Sequence, residues 1–152
     1  MVEPYISYCN LVWAGRHTRE NLDKILRLQK RYCRLITFSD FRAHSKPLFN
    51  QLSILTVYDM YEFQLGIYMY KCLNNLFPSN ISYSFLANNA VHEHFTRRGS
   101  HLHLVGCRTK CRWSTVQIEG PKFWNGSPCY LKCFPTLNQF KSNFKAFVFS
   151  TS

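Results

Sequence analysis

Residues Thr56 to Leu73 read TVYDMYEFQLGIYMYKCL, and the periodicity of this stretch decides the fold. At about 100° per residue, Tyr61, Leu65, Tyr68 and Cys72 line one helical seam, and Met60, Phe63, Ile67 and Met69 broaden it. Thr56 and Asp59 form a capping arrangement at its start, with an acid where Glu or Gln is more usual. A helix apolar around most of its circumference belongs between other helices, so burial on most sides is expected. Asp59, Glu62 and Lys71 punctuate it, and no apolar run approaches the roughly 20 residues that cross a bilayer. No membrane partner is therefore expected.

Upstream, ENLDKILRLQKRYCRLIT (Glu20 to Thr37) is a second helix with a different division of its surface. Leu22, Ile25, Leu26, Leu28, Gln29, Tyr32, Cys33, Leu35 and Ile36 share one broad arc, and Lys24, Arg27, Lys30, Arg31 and Arg34 share the other. Such a helix buries one side and offers cations from the opposite one. Glu20 and Asp23 suit the positive end of its dipole. Before it, Tyr5 to Trp13 is apolar and Ala14 to Thr18 reads as a loop. After it, Ser45, Lys46 and Pro47 open a short helix containing Leu48, Phe49 and Leu52.

Downstream of the central helix, Pro78 to His94 is rich in Ser and Asn and marks the expected internal boundary. His101 to Val105 and Ser114 to Ile118 alternate in polarity and predict two short strands, paired as a hairpin. At the end, Thr136 and Gln139 match a capping box ahead of an apolar stripe of Leu137, Phe140, Phe144, Phe147 and Val148. The expectation is a mainly α chain, a thumb-like helical bundle over 1–77, a linker over 78–94, and a region over 95–152 with a small β-hairpin and a terminal helix.

The bulk numbers agree with one folded unit of ordinary size: 152 residues, 46% hydrophobic and 16% aromatic. Nineteen Lys and Arg outnumber eight Asp and Glu, giving a formal charge of +11, and after Glu62 the only acids are Glu93 and Glu119. That imbalance favours a polyanionic partner, nucleic acid before acidic membrane. The opening MVEPYISYCNLVW has an acid and a proline where a signal peptide carries positive charge, so the seven cysteines read as thiols of a reducing, intracellular compartment.

Arg27, Lys30, Arg31 and Arg34 recur at i, i+3, i+4 and i+7 and stand in one row, a spacing suited to following a phosphate backbone. The alternative is an ordinary solvated face, paired with acids elsewhere. Arg97 and Arg98, with His92 and His94 nearby, form a second basic point in an expected loop. Phe123 and Trp124 can stack on bases, but the reading favoured here is a core anchor in a turn after Gly120 and Pro121. Cys107 with Cys111, and Cys129 with Cys133, are two C-x-x-x-C pairs whose thiolates could close a tetrahedral zinc site, and a zinc-stabilised interaction module is the rival reading of the chain. No cofactor is otherwise implied.

Four segments, PYISYCNLVWAG (Pro4 to Gly15), LQKRYCRLIT (Leu28 to Thr37), HFTRRGSHLHLVGCRT (His94 to Thr109) and EGPKFWNGSP (Glu119 to Pro128), together resemble the C-terminal end of the reverse transcriptase of non-LTR, jockey-like retrotransposons. Their order and spacing cover most of the chain. In that family the first segment follows the polymerase palm, the basic helix lies in the thumb-like region and the last two lie beyond it. The resemblance implies a part of an RNA-directed DNA polymerase that grips the template–primer duplex, and it assigns Arg27, Lys30, Arg31, Arg34, Arg97 and Arg98 to that grip. It also implies a missing palm that would cover Tyr5, Ile6, Tyr8, Leu11 and Trp13, with Met1 corresponding to an internal position of a longer frame.

This sequence departs from the pattern where Gly126 and Ser127 follow Trp124 and Asn125, and where Thr96 and Arg97 follow His94 and Phe95, as expected of a divergent copy. Nucleotide addition needs carboxylates that clamp two metal ions, and the chain has no Asp-Asp pair. Asp59 and Glu62 are explained by capping and the helix dipole. A phosphate-cradling G-x-x-x-x-G-K-[ST] loop is also missing from the sequence. Binding without catalysis is the expectation for this chain.

Overall fold

A computed structural model describes residues 3–15, 19–78, 85–92, 94 and 97–151. Of the expected loops, residues 16–18, 79–84 and 93 lie outside the described set. The described residues are mostly helical. Among the described residues, ten helices run in the order α1 (Glu3–Ser7), α2 (Asn10–Trp13), α3 (Arg19–Ile36), α4 (Ser45–Leu52), α5 (Val57–Leu73), α6 (Asn88–Val91), α7 (Lys110–Trp113), α8 (Val116–Gly126), α9 (Cys129–Lys132) and α10 (Leu137–Thr151).

Helix α5 is the hub, as its sequence predicts. Thr56 caps it: the Asp59 N–H donates to Thr56 Oγ1 (3.2 Å), and the same hydroxyl donates to Asp59 Oδ2 (2.7 Å). That arrangement satisfies one of the four N–H groups a helix start leaves open. A further one, Val57 N–H, is taken by Gln29 Oε1 of α3 at 2.9 Å. Helices α10 and α8 pack on one side of α5, and α1, α2 and α3 pack elsewhere around it. Val57, Met60, Leu65, Met69, Tyr70 and Cys72 are all buried as a result.

The aromatic stripe of α10 supplies most of the opposing surface. Phe140 stacks on Tyr70 at 4.5 Å between ring centroids, and Phe144 stacks on Phe63 at 5.8 Å. Tyr70 Oη donates to the Phe134 carbonyl (2.7 Å), so the phenol pairs its polar end while its ring is buried. Two glycines permit this approach. A Cβ on Gly66 would lie 2.3 Å from Phe144 Cε1, and one on Gly120 would lie 2.5 Å from Met69 Sδ. The main core therefore joins Met60, Met69 and Tyr70 to Leu102, Trp124, Leu131, Phe140 and Phe144, drawing on residues from both sides of 78–94.

The expected β-hairpin is not formed. Ser114 and Thr115 lead into α8, and Thr115 O accepts from the N–H groups of Ile118 (3.0 Å) and Glu119 (3.0 Å). The alternation that suggested a strand is overridden by tertiary burial of Ile118, Pro121 and Trp124, which share one helical face. Nor do Gly120 and Pro121 make a turn; both lie inside the helix. His101 to Val105 is extended, but its partner is upstream: Ala87 and Leu102 form an antiparallel bridge, His103 N–H donates to Leu86 O (2.8 Å), and Asn88 N–H donates to His101 O (2.8 Å).

At the chain's start the structure corrects a second expectation. Tyr5 and Tyr8 are exposed, but Ile6, Leu11 and Trp13 pack against the cluster of Ala14, Leu22, Val57, Tyr61 and Leu65. Trp13 Nε1 also donates to the Tyr8 carbonyl (2.8 Å). Among the described residues no helix is long and apolar enough to cross a membrane.

Candidate nucleic-acid interface

Three faces, rather than two, divide the surface of α3. Leu22, Gln29 and Cys33 are buried against α4 and α5, with Ile25 and Leu26 partly buried beside them. Burial pushes the Cys33 thiol above its usual range, against the opposing pull of the Arg34 charge. Leu28 and Leu35 are 65% and 66% exposed, and Tyr32 and Ile36 are also open. Those four were expected on the buried arc. Helices α4 and α5 reach only one flank of that arc, so the other flank stays uncovered.

The cationic face is the third. Arg27 and Arg31 are exposed, and Lys30 and Arg34 are half-buried. From Arg27 to Arg34 the row spans about 10 Å of helix axis. None of the four makes an ion pair with another described residue. Arg34 is held differently from its neighbours, because its Nε donates to the Ala43 carbonyl at 3.0 Å. That bond uses one of five guanidinium donors and brings the turn before α4 against the basic face. Arg42, exposed and one residue from the contact, shares that turn with Asp40, whose Oδ1 accepts from the Arg42 N–H at 3.4 Å.

Arg97 and Arg98 stand elsewhere, in a loop whose two limbs are tied by the bridge between Ala87 and Leu102. Asn88 Nδ2 donates to the Arg98 carbonyl (3.0 Å), and Asn89 N–H donates to Gly99 O (3.0 Å). Both arginine side chains are exposed. The base of the loop is fixed to α8 by Asn125, which accepts from Leu102 N–H and donates to Leu102 O, each at 2.9 Å. No hydrogen bond or ion pair among the described residues joins this loop to α3. The structure thus gathers Arg27, Lys30, Arg31 and Arg34 on α3, while Arg97 and Arg98 belong to a different element.

Trp124 is a core residue at 9% exposure, and Phe123 packs edge-on to Phe144 at 5.9 Å, so neither is a free stacking platform. The four C-terminal thiols are not gathered. Cys107 and Cys111 precede α8 while Cys129 and Cys133 follow it, and its 11 residues place the two pairs at opposite ends of about 16 Å of helix. Among the described residues no group of three or more His, Cys, Asp or Glu side chains is placed to hold a metal ion. Asp59 is occupied in capping α5.

No family model, curated protein or solved structure matches the chain. The residues themselves carry the functional reading. A row of four cations on one helix face, free of ion pairs among the described residues, can neutralise a linear run of phosphates. Its contacts to phosphates would position a polyanion without themselves reading its sequence.

Proposed function

We propose that this chain binds nucleic acid through the basic face of α3, as the thumb-like and C-terminal portion of a divergent non-LTR retrotransposon reverse transcriptase. The single observation that carries the reading is the row Arg27, Lys30, Arg31 and Arg34, free of ion pairs among the described residues, in a chain of formal charge +11. The four-segment resemblance supplies the choice of partner, a template–primer duplex. It also places the protein inside the cell, where its thiols stay reduced. Catalysis would belong to the palm of such a polymerase, because these residues hold no Asp-Asp pair.

Fluorescence anisotropy against an RNA/DNA duplex over a salt series tests the proposal. Removing one cation that neutralises a phosphate reduces the slope of log K against log salt by roughly 0.9 on duplex. Arg27→Ala combined with Arg31→Ala should therefore flatten the slope by about 2 while the helical circular dichroism is preserved. An unaltered slope removes α3 from the interface, and absence of binding in dilute buffer removes the function.

A further inference from the structure

We propose that the open groove beside α3 is a docking site for an acidic amphipathic helix of a protein partner. The groove encloses about 650 Å³ between Ile6 of α1 and the uncovered flank of α3, with Gln29, Ile54 and Met60 toward its floor. Leu28, Tyr32, Leu35 and Ile36 recur along it at i, i+4, i+7 and i+8. This flank borders the cation row and shares Arg31 with it, but its apolar residues take no part in the nucleic-acid reading.

The occupant follows from shape and charge. The long wall is α3, whose interior backbone groups are bonded within the helix, so it offers no strand edge to an extended peptide. A concave apolar trough with knobs at helical spacing accepts another helix, through anchors at i, i+3 or i+4, and i+7. Among the described lining residues none is acidic and one, Arg31, is a cation. Lys24 and Arg27 are exposed on the same helix, and Asp23, the nearest acid in sequence, faces Tyr58 at 2.6 Å. A partner helix flanked by Glu or Asp meets this rim favourably, whereas a second copy of a chain of charge +11 would set cation against cation. A lipid surface is flat and would touch the rim while leaving the trough empty.

The test uses a fluorescent peptide of about 14 residues, with Leu at helix-face positions and Glu elsewhere, a length that spans the stripe. Lys-for-Glu and scrambled peptides are the controls. The acidic peptide should bind at least about tenfold more tightly than either, a difference of about 1.4 kcal/mol. Leu28→Asp with Leu35→Asp should weaken it by a similar factor, and both positions are exposed enough for the fold to persist. Arg31→Glu should shift preference toward the Lys peptide. Equal binding of all three peptides overturns the proposal. So does a dimer in sedimentation equilibrium, or binding to phosphatidylserine vesicles, that the double Leu variant abolishes while peptide binding is unaffected.

Discussion

Asn125 grips Leu102 by both of its backbone polar groups, accepting from its N–H and donating to its carbonyl at 2.9 Å each. A side-chain amide thereby takes the part of a neighbouring strand. It fixes the otherwise weakly paired segment around the Ala87–Leu102 bridge to α8 and the main core, where Leu102 is 7% exposed. The loop that bears Arg97 and Arg98 is thus positioned by a residue far from it in sequence.

Asn125→Ala removes both bonds and leaves the half-buried Leu102 groups unpaired, a loss of about 1–3 kcal/mol. The expected signature is local: faster amide exchange at Leu102 and His103, with the amides of α5 and α10 protected as before. Asn125→Asp separates the two bonds, since a carboxylate still accepts from Leu102 N–H but faces the Leu102 carbonyl without a proton to donate. Exchange at Leu102 that is unchanged in the Ala variant would show that the bridge holds the loop unaided.

What could be read in advance divides along the range of the forces involved. Helices α4, α5 and α10 were legible because their signals are local: the Ser45 to Leu52 pattern, the Thr56 and Thr136 caps and the 3.6-residue spacing of large apolar side chains. Helix α8 was not, because Thr115, Val116 and Ile118 suit a strand and Gly120-Pro121 suits a turn. Only burial of Ile118, Pro121 and Trp124 against the rest of the chain selects the helix. For α3 the cations were visible, but the covered flank of its apolar arc depends on where α4 and α5 sit, which no periodicity encodes. Asn125 acts through contacts with backbone elsewhere in the chain and gave no local sign.

Gly66 sets the spacing between α5 and α10. Gly66→Ala places a methyl 2.3 Å from Phe144 Cε1 and 2.7 Å from its Cζ, and Phe144 is 1% exposed and stacked on both Phe63 and Phe140. The helix-propensity gain of about 1 kcal/mol is opposed by overpacking of about 1–3 kcal/mol. A net fall in Tm is expected in thermal circular dichroism, of a few degrees for each kcal/mol in a chain of this size. Restoring space with Gly66→Ala and Phe144→Leu together should recover part of the loss, which a purely local backbone effect would not allow.

Gln29 is a buried polar residue on a helix face that otherwise buries carbon, and its role is to accept from Val57 N–H at the start of α5. Its Nε2 lies 3.5 Å from the Leu55 carbonyl, a long contact that adds little. Gln29→Leu fits the apolar surroundings but orphans the Val57 N–H, so destabilisation of about 1–3 kcal/mol is expected despite the added hydrophobicity. Urea unfolding is the measurement, with an unchanged m-value showing that stability rather than compactness has altered. A variant as stable as the wild type would mean that water replaces the amide.

Cys33 and Cys72 are each 1% exposed, and burial is the leading cause that pushes both thiols above their ordinary value of 9.0. For Cys33 the Arg34 charge opposes the shift, and for Cys72 the hydrogen bond with Tyr68 does. The folded chain therefore holds these protons after the unfolded chain has begun to release them. Their contribution to stability is complete below 9.0 and is lost as pH rises from there through the higher folded values. Cys33→Ala with Cys72→Ala removes that loss, so the variant should begin with a lower Tm, having two small cavities, and then decline less steeply with alkaline pH than the wild type. The same burial governs reactivity, because the thiolate is the nucleophile. Of the free thiols, Cys9, Cys111, Cys129 and Cys133 are exposed and should titrate with a disulfide reagent in the native protein. Cys33 and Cys72 should react only at the rate of unfolding, and rapid native-state labelling of either would show that α3 or α5 is not packed as described.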